Sequence, residues 1–287
     1  MITSKDTNRV FFSDTINTQS DFFVSIKKAL EKHSIVPEFL EDTADRWCRD
    51  YMPIQIDKDR FIQYTYEPDY LDERDFDEWA KQKWGGRRTT EEVISANCIR
   101  LGIKTERLDV VLDGGNVMRC GKYVLMTSKV FSENAWQPIK LINMLENAFG
   151  AEVIFLPWDR DELFGHIDCI CRPVDDKTIL MNDYNIYNHH LYDIIHKILD
   201  SYFDVHLMQF PRQSKEVNDM LWAYMNFLQT KNCILVPQLG YDTDVMALEQ
   251  IRAHFPSYAA DQIEGIHMRT VVKDGGAMNC ISWNVLL

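Results

Sequence analysis

Residues 163–172, LFGHIDCICR, place a histidine, an aspartate and two cysteines within six positions. Two kinds of chemistry use such a set: ligation of a metal ion, and proton transfer beside a carboxylate. The stretch lies between the turn-forming PWDRDE and Pro173, and its apolar and polar residues alternate, which predicts a short strand. On a strand His166 and Asp168 share one face with Ile170, while Cys169 and Cys171 point to the other. Those four side chains cannot then close on one ion, and no second Cys or His pair has zinc-ligand spacing. No metal site is expected. A proton carrier, His166, remains beside a carboxylate, Asp168.

A thiol could complete that pair. LDGGNV (112–117) and KDGGAMN (273–279) share Asp-Gly-Gly followed closely by Asn. Glycine pairs allow positive φ and close approach of another group. Asp113-Gly114-Gly115 reads most simply as a tight turn after a strand. Asp274-Gly275-Gly276 differs because Cys280 follows it, in MNCISWNVLL, a run apolar enough to be a buried last strand. Packing is the commoner role of any single cysteine. Thiol chemistry would need a thiolate, a proton carrier and a group that positions the substrate. His166 could be the carrier, and Asp50 with Asp168 could hold a cation. A guanidinium suits two carboxylates because its planar fork of N–H donors matches them bidentately.

These residues must be positioned by a fold. Helical periodicity and caps predict helices in 20–33, 89–102, 137–150, 191–203, 214–228 and 242–255. Between them lie β-rich runs at 59–66, 107–115, 122–131, 151–158, 177–184, 204–210 and 232–240. Strands and helices alternate, so the class is α/β. One helix per 50 to 60 residues, with several strands between, hints at a repeated ββαβ-sized unit. No Pro/Gly/Ser linker divides the chain, so a single domain, residues 1–287, is expected. The one charged loop, EPDYLDERDFDEWAKQKWGG, is acidic and aromatic and turns basic at Arg87 and Arg88.

Composition narrows the partners. Apolar residues make up 46% of the chain, which places it among globular proteins. Seven cysteines without a framework spacing argue for reduced thiols and a cytoplasmic setting. The first fifteen residues carry no apolar signal core, and no apolar run nears the ~20 residues of a membrane span. A net charge of −13, with KWGGRR the only basic cluster, disfavours nucleic acid and is compatible with a small cationic substrate.

RWCRDYMPI (46–54), LDGGNV, GHIDC (165–169), VPQLGYDTDVMALEQIRAHFP (236–256) and DGGAMNCISW (274–283), in that order, resemble the agmatine deiminase and bacterial (Porphyromonas-type) peptidylarginine deiminase family. That family belongs to the guanidino-group-modifying enzymes. The resemblance runs from about residue 46 to the C-terminus. It implies the pentein fold, a five-bladed α/β propeller of ββαβ units with the active site in a central channel. It also implies Cys280 as nucleophile, His166 as general acid/base, Asp168 and Asp50 as the carboxylates that grip the guanidinium, and Asp113, Trp47, Asn116 and Gly276 at the substrate. Cys169 and Cys171 would pack behind the channel. No metal and no cofactor are implied.

The implied reaction is hydrolytic deimination, best matched by agmatine giving N-carbamoylputrescine and ammonia, in polyamine biosynthesis. Arginine or peptidylarginine deimination, or another guanidino hydrolase or amidinotransferase reaction on the same scaffold, is the alternative. A non-enzymatic pentein binding protein is a further one, though it would not need the Cys/His/Asp set. The partners are then a small guanidino compound and, if the chain self-associates, a second copy in a homodimer. Two positions depart from the agmatine deiminase pattern: Asp113 stands where Glu is usual, and Asn279 where a His precedes the nucleophile.

Overall fold

The computed structural model describes residues 1–68, 90–159, 165–186 and 188–287. Arg87, Arg88 and the charged loop beyond Pro68 lie outside the described residues. Among the described residues, fifteen strands form five three-stranded sheets. The first joins β1 (Arg9–Ser13) and β2 (Glu38–Leu40) to the last strand of the chain. The second is β3 (Ile54–Asp57), β4 (Arg60–Thr65) and β5 (Thr105–Val111). The third is β6 (Met118–Cys120), β7 (Tyr123–Thr127) and β8 (Glu152–Leu156). The fourth is β9 (Cys171–Pro173), β10 (Thr178–Asn182) and β11 (Asp204–Met208). The fifth is β12 (Leu228–Gln229), β13 (Ile234–Gln238) and β14 (Ile263–His267), and β15 (Ser282–Val285) returns to the first.

Every sheet follows one rule: its central strand pairs antiparallel on one side and parallel on the other. Parallel neighbours need a crossover, and helices supply it. They are α1 (Asp21–Lys32), α2 (Thr90–Arg100), α3 (Lys129–Glu133) with α4 (Pro138–Phe149), α5 (His189–Asp200) and α6 (Thr243–His254). The unit is therefore ββαβ, repeated five times, as the helix spacing predicts. The chain starts inside a unit, and β15 supplies the missing strand: Arg9 pairs with Val285 and Phe12 with Ser282. Trp283 then packs against Phe11 of its own sheet and Phe61 of the next. This pairing closes the ring.

The long helices form where sequence signals agree with burial. α5 is capped by the Asn188 side chain, which accepts from the Leu191 amide, and it buries Leu191, Ile195 and Leu199 at four-residue spacing. α4 starts at Pro138 and stops at Gly150, whose φ of 61° gives the left-handed cap.

Two predicted elements are corrected. Residues 163–172 are not one strand: Ile167–Ile170 is a helical turn with His166 extended before it, and only Cys171–Pro173 joins a sheet. Alternation is a poor guide because every described residue here is buried, so polarity does not report which face meets water. The segment 214–228 is not one helix either. It breaks into Lys215–Asn218, a 3₁₀ turn Leu221–Tyr224, and β12. Residues 223–229 are all buried, and tertiary packing overrides the helical pattern.

Candidate active site

Five segments lead into the first strand of each sheet: residues 47–52 into β3, 113–116 into β6, 166–170 into β9, 221–227 into β12 and 277–281 into β15. Each sheet repeats the same path, so equivalent segments come together, and side chains distant in sequence meet.

Asp50 sits in a short helix, Cys48–Tyr51, whose first turn is anchored to the last lead-in: the Arg49 amide donates to the Cys280 carbonyl at 3.2 Å. The Asp50 main-chain carbonyl accepts from the Tyr64 hydroxyl at 2.6 Å, and its Oδ1 accepts from the Gly115 amide at 2.9 Å. Gly115 has no room for a side chain. A methyl group there would lie 2.6 Å from Asp50 Oδ1, 3.0 Å from His166 Nδ1 and 3.3 Å from Asp168 Oδ2. Those three polar atoms thus converge on one backbone position, which explains the second glycine of LDGG.

His166 bridges two carboxylates. Its Nε2 is 3.0 Å from Asp113 Oδ2, and its Nδ1 is 3.5 Å from Asp50 Oδ1. Asp113 Oδ2 also receives Lys129 Nζ at 2.5 Å, and Lys129 reaches Glu133 Oε1 at 2.7 Å, one turn along α3. Asp168 Oδ2 accepts from Asn279 Nδ2 at 2.7 Å. Asp50, Asp113, His166, Asp168 and Cys280 are all buried.

Burial and charge set the protonation states. Burial favours neutral imidazole, yet Asp50 and Asp113 outweigh it and raise His166 to about 9. Burial raises Asp50 above the carboxylate range, with Asp113 and Asp168 adding to it and His166 opposing. Burial also acts to raise Asp113, but His166 and Lys129 hold it low. For Cys280, burial and then the charges of Asp168 and Asp50 push the thiol well above its usual range. The thiol is therefore protonated, through burial first and the two carboxylates second.

A narrow cavity opens onto this set, lined by Trp47, Asp50, Tyr66, Pro68, Asp113, Lys129, His166, Cys169, Gly275 and Cys280. Asp50, His166, Asp113, Cys280 and Trp47 line this cavity together, whereas Asp168 does not and instead lines a separate pocket with Arg172 and Asn279. Gly276 lies beneath Trp47: a methyl group on it would overlap the indole, so the glycine leaves space for that ring. Asn116 is placed elsewhere, its Oδ1 accepting from the Thr127 amide at 2.9 Å and tying the Gly-Gly turn to β7. Cys171 is buried in the core as expected, but Cys169 lines the cavity instead of packing behind it, because the helical turn rotates it forward.

Sequence reasoning misses Lys129, Tyr66 and Asn226. Lys129 lies within a run read as strand, where nothing marks it as buried. Asn226 sits in MNFL, whose apolar neighbours suggest helix core. Among the described residues no group of three or more His, Cys, Asp or Glu side chains could hold a metal ion, and no helix is long and apolar enough to cross a membrane. None of the seven cysteines forms a disulfide.

A family model described as Porphyromonas-type peptidyl-arginine deiminase matches residues 10–285. A Shewanella baltica protein named "Putative agmatine deiminase" is 23% identical over 326 residues, spanning 95% of this chain and 84% of that one. Among solved structures, C. jejuni agmatine deiminase superposes with a TM-score of 0.73 at 16% identity, covering 100% of this chain and 95% of that one. A mutant of DDAH from Pseudomonas aeruginosa, complexed with citrulline, gives 0.58 at 11% identity over 98% and 100% of the two chains. The ring of five ββαβ units is the pentein fold.

Proposed function

We propose a substrate and a mechanism from one premise: the chain belongs to the Porphyromonas-type peptidyl-arginine deiminase family and is a hydrolase of amidine C–N bonds. The substrate is agmatine, and the nucleophile is Cys280. The observation that carries this reading is the convergence of Asp50 Oδ1, Asp168 Oδ2 and His166 Nδ1 around Gly115; Asp50 and His166, but not Asp168, also line the cavity that holds the Cys280 thiol.

Two buried carboxylates suit a flat cation that carries N–H donors in its plane. Held there, the guanidinium offsets the charges of Asp168 and Asp50, which add to burial in keeping Cys280 protonated, so binding shifts the thiol toward the thiolate. Cys280 gives up its proton to solvent, and the sulfur attacks the guanidinium carbon, forming a C–S bond as the C=N π electrons move onto nitrogen, to give a neutral tetrahedral adduct. His166 donates its proton to the departing nitrogen, the C–N bond breaks, and ammonia leaves a covalent amidino-thioether. Water then gives a proton to His166 and attacks the same carbon. The C–S bond breaks, the thiol is restored, and the ureido product departs. Fixing the guanidinium plane is worth up to about 7–11 kcal/mol in well-oriented systems.

The cavity favours a tail without a carboxylate. Among the described residues its only cations are His166 and Lys129, and Lys129 is already held by Asp113 and Glu133. Trp47 and Tyr66 add aromatic surface to the cavity wall, and the Arg46 guanidinium already lies over the Trp47 ring at 4.7 Å. Ammonia release should be measured with agmatine, arginine and a peptide ending in arginine, for the parent and Cys280→Ser. No ammonia from any guanidino compound, or full turnover by Cys280→Ser, would overturn the reading.

A further inference from the structure

Four of the five lead-ins carry residues of the proposed reaction: Asp50, Asp113, His166 with Asp168, and Cys280. The fifth, residues 221–227, delivers Asn226 to the same place. Its side chain is 0% exposed, and every polar atom on it is directed at the site.

Asn226 Oδ1 accepts from the Asn279 amide at 3.0 Å, from the Cys280 amide at 3.2 Å and from Cys280 Sγ at 3.3 Å. Its main-chain oxygen accepts a second bond from the Asn279 amide, also at 3.0 Å. On the far end of the amide, Nδ2 donates to Cys169 Sγ at 3.6 Å, and that sulfur lies 3.5 Å from Asp168 Oδ1. Asn279, held by Asn226, donates its own Nδ2 to Asp168 Oδ2. One planar amide thus spans the interval between the thiol and the segment of a gripping carboxylate. Its length is fixed, and acceptor and donor sit at opposite ends. Serine in its place would be too short to touch both sides.

We propose that Asn226 is a positioning residue for deimination, which sets Cys280 Sγ against Asp168 so that sulfur faces the carbon of the bound guanidinium. The proposal rests on the reading of Cys280 as nucleophile. It assigns Asn226 no contact with substrate. The amide acts through Cys280 and through the Cys169–Asp168 turn. A misplacement of about 1 Å at the reacting atoms is enough to lose roughly 100-fold in rate.

The test uses Asn226→Ala and Asn226→Ser in the full chain, with agmatine as substrate and Cys280→Ser run alongside. Both variants are expected to lower kcat roughly 30- to 100-fold while KM stays within about threefold, because both gripping carboxylates are kept and Asp50 is held by Gly115 rather than by the amide. Alkylation of Cys280 by iodoacetamide, followed by mass mapping, should change rate by at least about threefold, since the sulfur loses its fixed partner. A kcat within about threefold of the parent in either folded variant overturns the proposal. So does a parallel fall in kcat, binding and melting temperature with unchanged alkylation, or failure of both variants to fold, because Asn226 would then be a core residue only. Turnover by Cys280→Ser, or alkylation that inactivates through another cysteine, would instead overturn the nucleophile itself, whatever Asn226 does.

Discussion

Asp113 Oδ2 meets His166 Nε2 at 3.0 Å on the side of the imidazole away from Asp50, and it shares the same oxygen with the Lys129 ammonium. The aspartate therefore fixes which ring nitrogen faces the rest of the site, and the lysine keeps the aspartate ionised. Asp113→Asn retains shape but removes the charge that holds His166 as imidazolium. Its kcat should fall roughly 100-fold, with the basic limb of the pH profile moving to lower pH. Asp113→Glu, which keeps the charge in a space shaped for Asp, should recover part of the loss. A rate within about threefold for Asp113→Asn would remove the aspartate from the proton-transfer machinery.

The pH profile follows from the same cluster. In the free enzyme the grip requires Asp50 ionised, and burial raises it to about 7. Proton donation requires His166 charged, and its carboxylate neighbours hold it at about 9. The plot of kcat/KM should rise through about 7 and stop rising through about 9, where loss of the His166 proton offsets further ionisation of the Cys280 thiol; both changes belong to the coupled Asp50–His166–Asp113 set. Because bound cation favours ionised Asp50, the acid limb of kcat should lie lower than that of kcat/KM. An optimum below pH 6 would contradict these assignments.

Asp50→Asn separates chemistry from stability. The folded-state value of Asp50 lies above the ordinary value near 4, so its ionised form opposes folding, and that penalty is fully present above about 7. Asn should therefore cost roughly 100-fold or more in kcat/KM, yet melt no lower than the parent at pH 8. Loss of both activity and melting temperature would show that Asp50 holds the fold together rather than a substrate.

Much of this is legible in sequence, for physical reasons that can be named. Four of the five ordered motifs carry Cys280, His166, Asp168, Asp50 and Asp113, and α5 and α4 are readable because caps and four-residue apolar spacing agree. What fails is reading faces where no face meets water. Alternation turns Cys169 the wrong way because a buried segment does not have to alternate. Asn226 is hidden because its partners lie 53 and 54 residues away, a separation that only the repeat of lead-ins makes intelligible.

Gly115 offers a test that touches no catalytic atom. A methyl group there would enter the space between Asp50 Oδ1, at 2.6 Å, and His166 Nδ1, at 3.0 Å, and neither can withdraw without breaking a contact described above. Gly115→Ala should reduce kcat/KM by roughly 100-fold or more through displaced carboxylate and imidazole. A crystal structure of the variant should show Asp50 moved. Near-parental activity would mean that the three groups need not converge for catalysis.

Substrate choice turns on the far end of the cavity. A carboxylate on the substrate would have to be buried against a cation or be left without a partner, which costs several kcal/mol. Lys129 is the nearest described ammonium other than His166, but Asp113 and Glu133 already engage it, and drawing it away would release the carboxylate that positions His166. An amine tail carries no such conflict and can pack against the Trp47 and Tyr66 side of the cavity wall. Agmatine should therefore exceed free arginine by at least about tenfold in kcat/KM, and Trp47→Ala should raise the KM for agmatine several-fold with a smaller effect on kcat. Lys129→Met should impair every substrate together, since it acts through Asp113. If arginine or an arginine peptide were preferred, and Lys129→Met, Arg87→Ala or Arg88→Ala abolished that preference selectively, a basic side chain would be the carboxylate's partner and agmatine would not be the substrate.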